Sequence, residues 1–279
     1  MQTQIADPKF SDRLSTFFAM VRKELTVIAR YPVDFIASFV QIFMIVMIFT
    51  LAGLTFAPEG ADTSGTSGVV VYGFIVFLFV SDTLWTIGYN VRNEQTQGTL
   101  EQLYLSPASK FTSLIARVFH LLVWTGLLSV TAALVMSVLL GKLPVENLGL
   151  GILLLMLNLS GTFGIGFAFA ALTLRLKQTA DTLANLFQFA FLIFGACFFP
   201  FSALPEFMQW ISRMLPMAYG VDIFRSTLMG YPEGFPELAP INFEITVVAL
   251  YGLLMPFIGY WLFQREERYA RINGSLGEY

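Results

Sequence analysis

"RNEQTQGTLEQLYLSPASK", residues Arg92 to Lys110, separates two of the most apolar stretches of the chain. It is too polar to rest in hydrocarbon and too short to form a domain. Around it the sequence is 56% hydrophobic, 15% aromatic and only 13% charged, whereas a soluble domain carries about 25% charged residues. That balance predicts an integral membrane protein of all-α class, with the polar island connecting two membrane spans.

Runs of about 20 apolar residues cross the roughly 30 Å hydrocarbon layer as helices. The sequence offers six: Phe35 to Phe56, Val69 to Val91, Phe119 to Leu140, Leu148 to Leu174, Thr182 to Phe201 and Ile245 to Phe263. The first exceeds the apolar core of a cleavable signal and reads as a retained span. Thirteen of the 16 Lys and Arg fall in one set of flanks, leaving Lys142, Arg213 and Arg225 in the other. Positive residues favour the cytoplasmic side, so both termini are expected in the cytoplasm, as an even number of spans requires. The expected organisation is a cytoplasmic segment over 1–33, a transmembrane domain over 34–264 and a cytoplasmic tail over 265–279.

Before the first span, Phe10, Leu14, Phe17, Phe18, Val21, Leu25 and Ile28 recur at helical spacing, with charged residues on the remaining faces. The pattern predicts an amphipathic helix lying in the membrane interface, or one packed on a partner. Tyr31 precedes a proline and is pushed out of helical geometry, and Pro32 suits the first turn of a new helix. On the outer side, Pro58 to Gly68 reads as a polar loop. The segment from Phe199 to the last span is semi-apolar and proline-rich, with short helical patterns at about Glu206 to Leu215 and Ala218 to Leu228. Neither can cross, so the segment re-enters the outer half of the membrane or caps the bundle.

Within the island, Gly98 costs about 1 kcal/mol in a helix interior and supplies a bend. Thr99 and Gln102 then stand in the relation of a capping box, with Glu101 in the first turn where the helix dipole favours a carboxylate. Ser106 precedes Pro107, which discourages further helix. The result is a rod of under two turns, Leu100 to Leu105, with Leu100, Leu103 and Tyr104 on its apolar side. So short a helix is marginal alone in water and needs something to pack against, either its own bundle or another protein.

Glu94 to Pro107, "EQTQGTLEQLYLSP", resembles the coupling-helix segment of the permeases of type-2 ABC exporters, the ABC-2 family, with its E-x-x-x-G-T-L-E-x-L-x-x-S-P pattern. Phe199 to Gly230 is similar to the same family through Pro200, Pro205, Pro216, Tyr219, Asp222, Arg225 and Gly230. Six spans and an interfacial helix at the start agree with it over nearly the whole chain. The resemblance implies that the short helix docks on a separately encoded ATPase subunit, with Glu94, Gly98, Thr99, Leu100, Glu101, Leu103, Ser106 and Pro107 at or near that contact. It also implies a second permease half, ATP and magnesium on the ATPase rather than on this chain, a place in the cell (inner or plasma) membrane, and export. Cargo would be an amphiphile such as a drug, antibiotic or lipid-like compound, or alternatively a polysaccharide or lipid-linked glycan.

The chain contains no G-x-x-x-x-G-K-[ST] loop and no evident catalytic constellation, so it is not expected to be an enzyme by itself. With one cysteine, Cys197, and one histidine, His120, a metal site of that type has no ligands to build from. A net charge of -3 without basic clusters gives no support to nucleic acid. A secondary transporter would recruit several intramembrane ionisable groups, whereas only Asp82 lies well inside a span. A membrane-bound transferase would need acidic metal clusters that are missing.

Asp82 costs at least about 2.5 kcal/mol if ionised at mid-bilayer. It is therefore either a pathway or gating group, or a carboxyl that is neutral or hydrogen-bonded to Ser81 or Thr83. Ser160, Gly164 and Ala168, with Gly161 and Ala171, leave one side of the fourth span nearly bare, which predicts close helix packing. Asp222 and Arg225, three apart, could pair on one helix face.

Overall fold

The computed structural model describes residues 18, 22, 26, 29–56, 63–96, 110–176 and 180–272. Among these are eight helices and no strands. They are α1 (Pro32–Phe56), α2 (Thr63–Thr96), α3 (Lys110–Leu140), α4 (Leu148–Leu176), α5 (Ala180–Phe194), α6 (Glu206–Met214), α7 (Pro216–Leu228) and α8 (Ile241–Ile272). Of the expected interfacial helix, residues 18, 22, 26, 29 and 30 are described and are helical; Tyr31 is not, and Pro32 opens α1.

Among the described residues, five helices, α1 to α4 and α8, are long and apolar enough to cross a membrane. Most outrun the expected spans. α2 starts at Thr63, inside the stretch read as a loop, and α3 starts at Lys110 rather than Phe119. Hydropathy marks only the part of a helix that sits in hydrocarbon, whereas backbone hydrogen bonding carries it on into the headgroup zone.

The expected fifth span, Thr182 to Phe201, is the exception. α5 has 15 residues and rises only about 22 Å, because it is closed by its own C-cap. Ala196 takes a left-handed conformation (φ 47°), and the Cys197 amide reaches back to the Leu192 carbonyl at 3.3 Å. This is the hydrogen-bond pattern that ends helices, with alanine where glycine is usual. The chain then runs through a turn to a short 3-10 helix at Phe201–Ala203.

α2 is the axis of the bundle. Its apolar stretch is 78% buried, against 11% for that of α1, and it packs on α1, α3, α4, α5 and α7. Every face of α2 therefore meets protein, which a continuous run such as Val69, Val70, Val71, Phe74, Val76 and Val80 satisfies. α1 instead leaves Ile36, Val40, Met44 and Ile48 exposed at helical spacing, the arrangement of a helix facing lipid.

The closest pairing is between α4 and α8, which run parallel. A Cβ on Gly164 would strike the Met255 carbonyl, and one on Gly161 the Tyr251 ring. Pro256 lies inside α8 and has no N–H for the Gly252 carbonyl four residues back. Ser160 Oγ on α4 donates to that carbonyl at 2.8 Å. The small-residue side thus does more than admit a neighbour: its hydroxyl satisfies the backbone group that the proline releases.

Candidate functional site

The polar residues that the apolar runs contain converge halfway along α2. Thr125 Oγ1 on α3 donates to Asp82 Oδ2 at 2.5 Å. One turn away, Gln188 on α5 donates from Nε2 to Ser81 Oγ at 2.6 Å and accepts from Trp85 Nε1 at 2.7 Å. The partner of Asp82 is therefore neither Ser81 nor Thr83; Thr83 donates to the Phe79 carbonyl of its own helix at 2.6 Å. An intrahelical hydroxyl contact is always within reach of a threonine, and this left Asp82 to a neighbouring helix.

Asp82 lines a cavity of about 510 Å³ walled by α1, α2, α3 and α5, with Phe49, Phe74, Phe77, Trp124, Phe189 and Phe198 among its lining residues. A second cavity, of about 1030 Å³, opens where α1 ends and α2 begins, at the end of the bundle expected to be outer, against the loop from Met229 to Leu238. Phe198 lines both. It stacks on Phe49 with ring centroids 3.8 Å apart, and Phe74 stacks on it at 5.2 Å. An aromatic layer thus stands between the two spaces.

The outer module is built on charge. α7 is buried along almost its whole length. Arg225 is fully buried and aims its guanidinium at two backbone carbonyls, Ala196 (2.7 Å) and Phe199 (3.3 Å), with the Phe201 ring 5.9 Å away. The left-handed turn that ends α5 is what presents those carbonyls. Gly73 on α2 makes room, since a Cβ there would strike the Cys197 carbonyl.

Asp222 does not form the ion pair with Arg225 that the three-residue spacing suggested. Its Oδ2 accepts from the amides of Glu237 (2.7 Å) and Leu238 (2.8 Å), while Glu237 accepts from the amides of Phe201 (3.0 Å) and Ser202 (2.6 Å). Local spacing cannot foresee a loop that supplies two backbone donors. Burial lifts the Asp222 carboxyl above its ordinary range, against the pull of Arg225 and those amides. Burial lowers the Arg225 guanidinium, which Asp222 and Glu237 hold up.

The other signature residues act on the chain's path. Pro200 precedes the 3-10 turn, Pro205 precedes α6, Pro216 opens α7, and Tyr219 Oη donates to the Arg213 carbonyl at 2.9 Å. Gly98, Thr99, Leu100, Glu101, Leu103, Ser106 and Pro107 lie outside the described residues, and Glu94 falls in the last turns of α2. Thr125, Gln188, Trp85, Glu237 and Gly73 were not singled out in the sequence. A search for lone polar residues inside apolar runs would have raised the first two.

The family model described as ABC-2 family transporter protein matches residues 57–263, from just past α1 to late α8. No curated protein matches the chain. The matched region holds α2 to α7 entire, the outer module and most of the cavity wall. With its several apolar crossing helices the chain is a multi-pass membrane protein and a transmembrane subunit of an ABC transporter. On the extent of that match, the chain belongs to the ABC-2 family of transporter proteins.

Proposed function

We propose that this chain is one half of a two-permease exporter that moves an amphiphile out of the cytoplasm or inner leaflet of the cell membrane. Work comes from a separate ATPase that docks on Leu100 to Leu105. The observation that carries this reading is the succession of spaces along the bundle: an inner cavity with a carboxylate in its wall, an aromatic layer at Phe49 and Phe198, and a wider outer cavity. α2 has 34 residues and is about 50 Å long. It leads directly into the polar island at one end and carries Asp82, Phe74 and Phe77 further along, so a push on the island moves the cavity wall.

Six passes, with both termini cytoplasmic, fit the direction of the helices. α4 and α8 pack parallel, so the chain has to return across the bilayer between them. α5 and the turn after it make that return, running antiparallel to α2 from Gln188 beside Ser81 to Phe198 beside Phe74. The mostly apolar lining supports an amphiphile over a hydrated glycan.

Replacing Glu101 tests the docking contact. Glu101→Lys puts a like charge at the positive end of the short helix, so the permease should insert at its normal level yet no longer copurify with the ATPase. Undiminished association would remove Glu101 from the contact.

A further inference from the structure

Among the described residues that line the inner cavity, Asp82 is the one ionisable group and none is a lysine or arginine. Its partner Thr125 satisfies a single oxygen, Oδ2, whereas an ionised carboxylate accepts about four hydrogen bonds. Of the two amide side chains in the cavity wall, Gln188 is engaged with Ser81 and Trp85, and Gln41 on α1 is neutral and supplies no counter-charge. The remaining carboxylate surface therefore looks onto the cavity, and no positive group among the described lining residues balances it.

Around it stand aromatic side chains: Phe74 and Phe77 on α2, Trp124 on α3, and Phe49 and Phe198 toward the outer side. Aromatic faces attract cations and repel anions, most strongly where water is excluded. A buried charge is tolerated when it is paired. A cavity of about 510 Å³ falls in the size range that encloses a drug-sized molecule.

We infer that the inner cavity selects hydrophobic monovalent organic cations, with Asp82 supplying the counter-charge and the surrounding aromatic rings the walls. This sharpens the transport reading above and rests on it for its physiological meaning, but the binding itself requires neither ATP nor a partner subunit. Outward movement would carry the cation away from Asp82 and past Phe198 into the outer cavity, where Glu233 and Glu237 are among the lining residues.

The test uses the purified full chain in lipid nanodiscs, with empty nanodiscs as the blank, and measures equilibrium binding of tetraphenylphosphonium. Tetraphenylborate, of the same shape and opposite charge, is titrated in separate samples, because the two ions pair with each other in solution. The wild-type chain should bind the phosphonium saturably and the borate no more than empty nanodiscs do, Asp82→Glu should retain binding, and Asp82→Asn should weaken it about tenfold or more. Equal affinity in wild type and Asp82→Asn, or saturable binding of the borate to the chain, overturns the inference. Should Asp82→Asn not fold, the two ions on the wild-type chain still decide. ATP-driven movement of neutral amphiphiles without preference for the cation would sink this inference and leave the transport reading standing. Cation binding without any ATP-driven movement would do the opposite.

Discussion

Two regions of this molecule take carboxylates out of water, and they treat them in opposite ways. In the outer module, Asp222, Glu237, Glu244 and Arg225 each meet backbone groups, and one guanidinium shares a neighbourhood with three carboxyl groups. At mid-bundle, Asp82 has one hydroxyl donor and otherwise lies in the wall of a cavity lined mostly by aromatic and aliphatic side chains. The first arrangement ties its charged groups to the backbone, so it holds the path of the chain. The second lacks such ties and is open to a ligand. Buried charge alone therefore does not mark a functional site; what sets Asp82 apart is a carboxylate that backbone donors do not hold, in the wall of a cavity.

That contrast fixes an order of effects. Arg225→Met should be the most damaging, by about 3–5 kcal/mol, since it strips the Ala196 and Phe199 carbonyls of their donor and leaves Asp222 with no cation nearby. Equilibrium unfolding in mixed micelles measures it. A loss under about 1 kcal/mol would mean that the outer module does not depend on the internal balance described. Gly164→Leu should come next, at about 1–3 kcal/mol, because any side chain there meets the α8 backbone. Asp82→Asn should be smallest, below about 1 kcal/mol, since the carbonyl oxygen of asparagine still accepts from Thr125. If it destabilised the chain as much as Arg225→Met, the two regions would not differ in kind.

The sequence made different parts of this legible to different degrees. Helical class, α1 to α4, α8 and the small-residue side of α4 follow from long apolar runs and residue size, which act locally and additively. The short outer helices are announced by Pro205 and Pro216, whose fixed backbone geometry sets where a helix can begin. The early end of α5 was hidden, because Ala196 adopts a glycine-like conformation that its identity does not suggest. Asp82 was conspicuous, but its partner Thr125 lies 43 residues away on another helix, and no periodicity reports such a pairing. For the same reason the spacing of Asp222 and Arg225 pointed to an ion pair, whereas the loop at Glu237 and Leu238 and the turn at Ala196 offered each of them better partners.

We propose that a nucleotide-driven partner works this bundle to carry cargo from one side to the other. Uptake of tetraphenylphosphonium by inside-out membrane vesicles containing the permease and its ATPase, with and without ATP at zero membrane potential, tests this most directly. Accumulation against a gradient is expected only when ATP is hydrolysed. Uptake of the same extent with nucleotide withheld would contradict it.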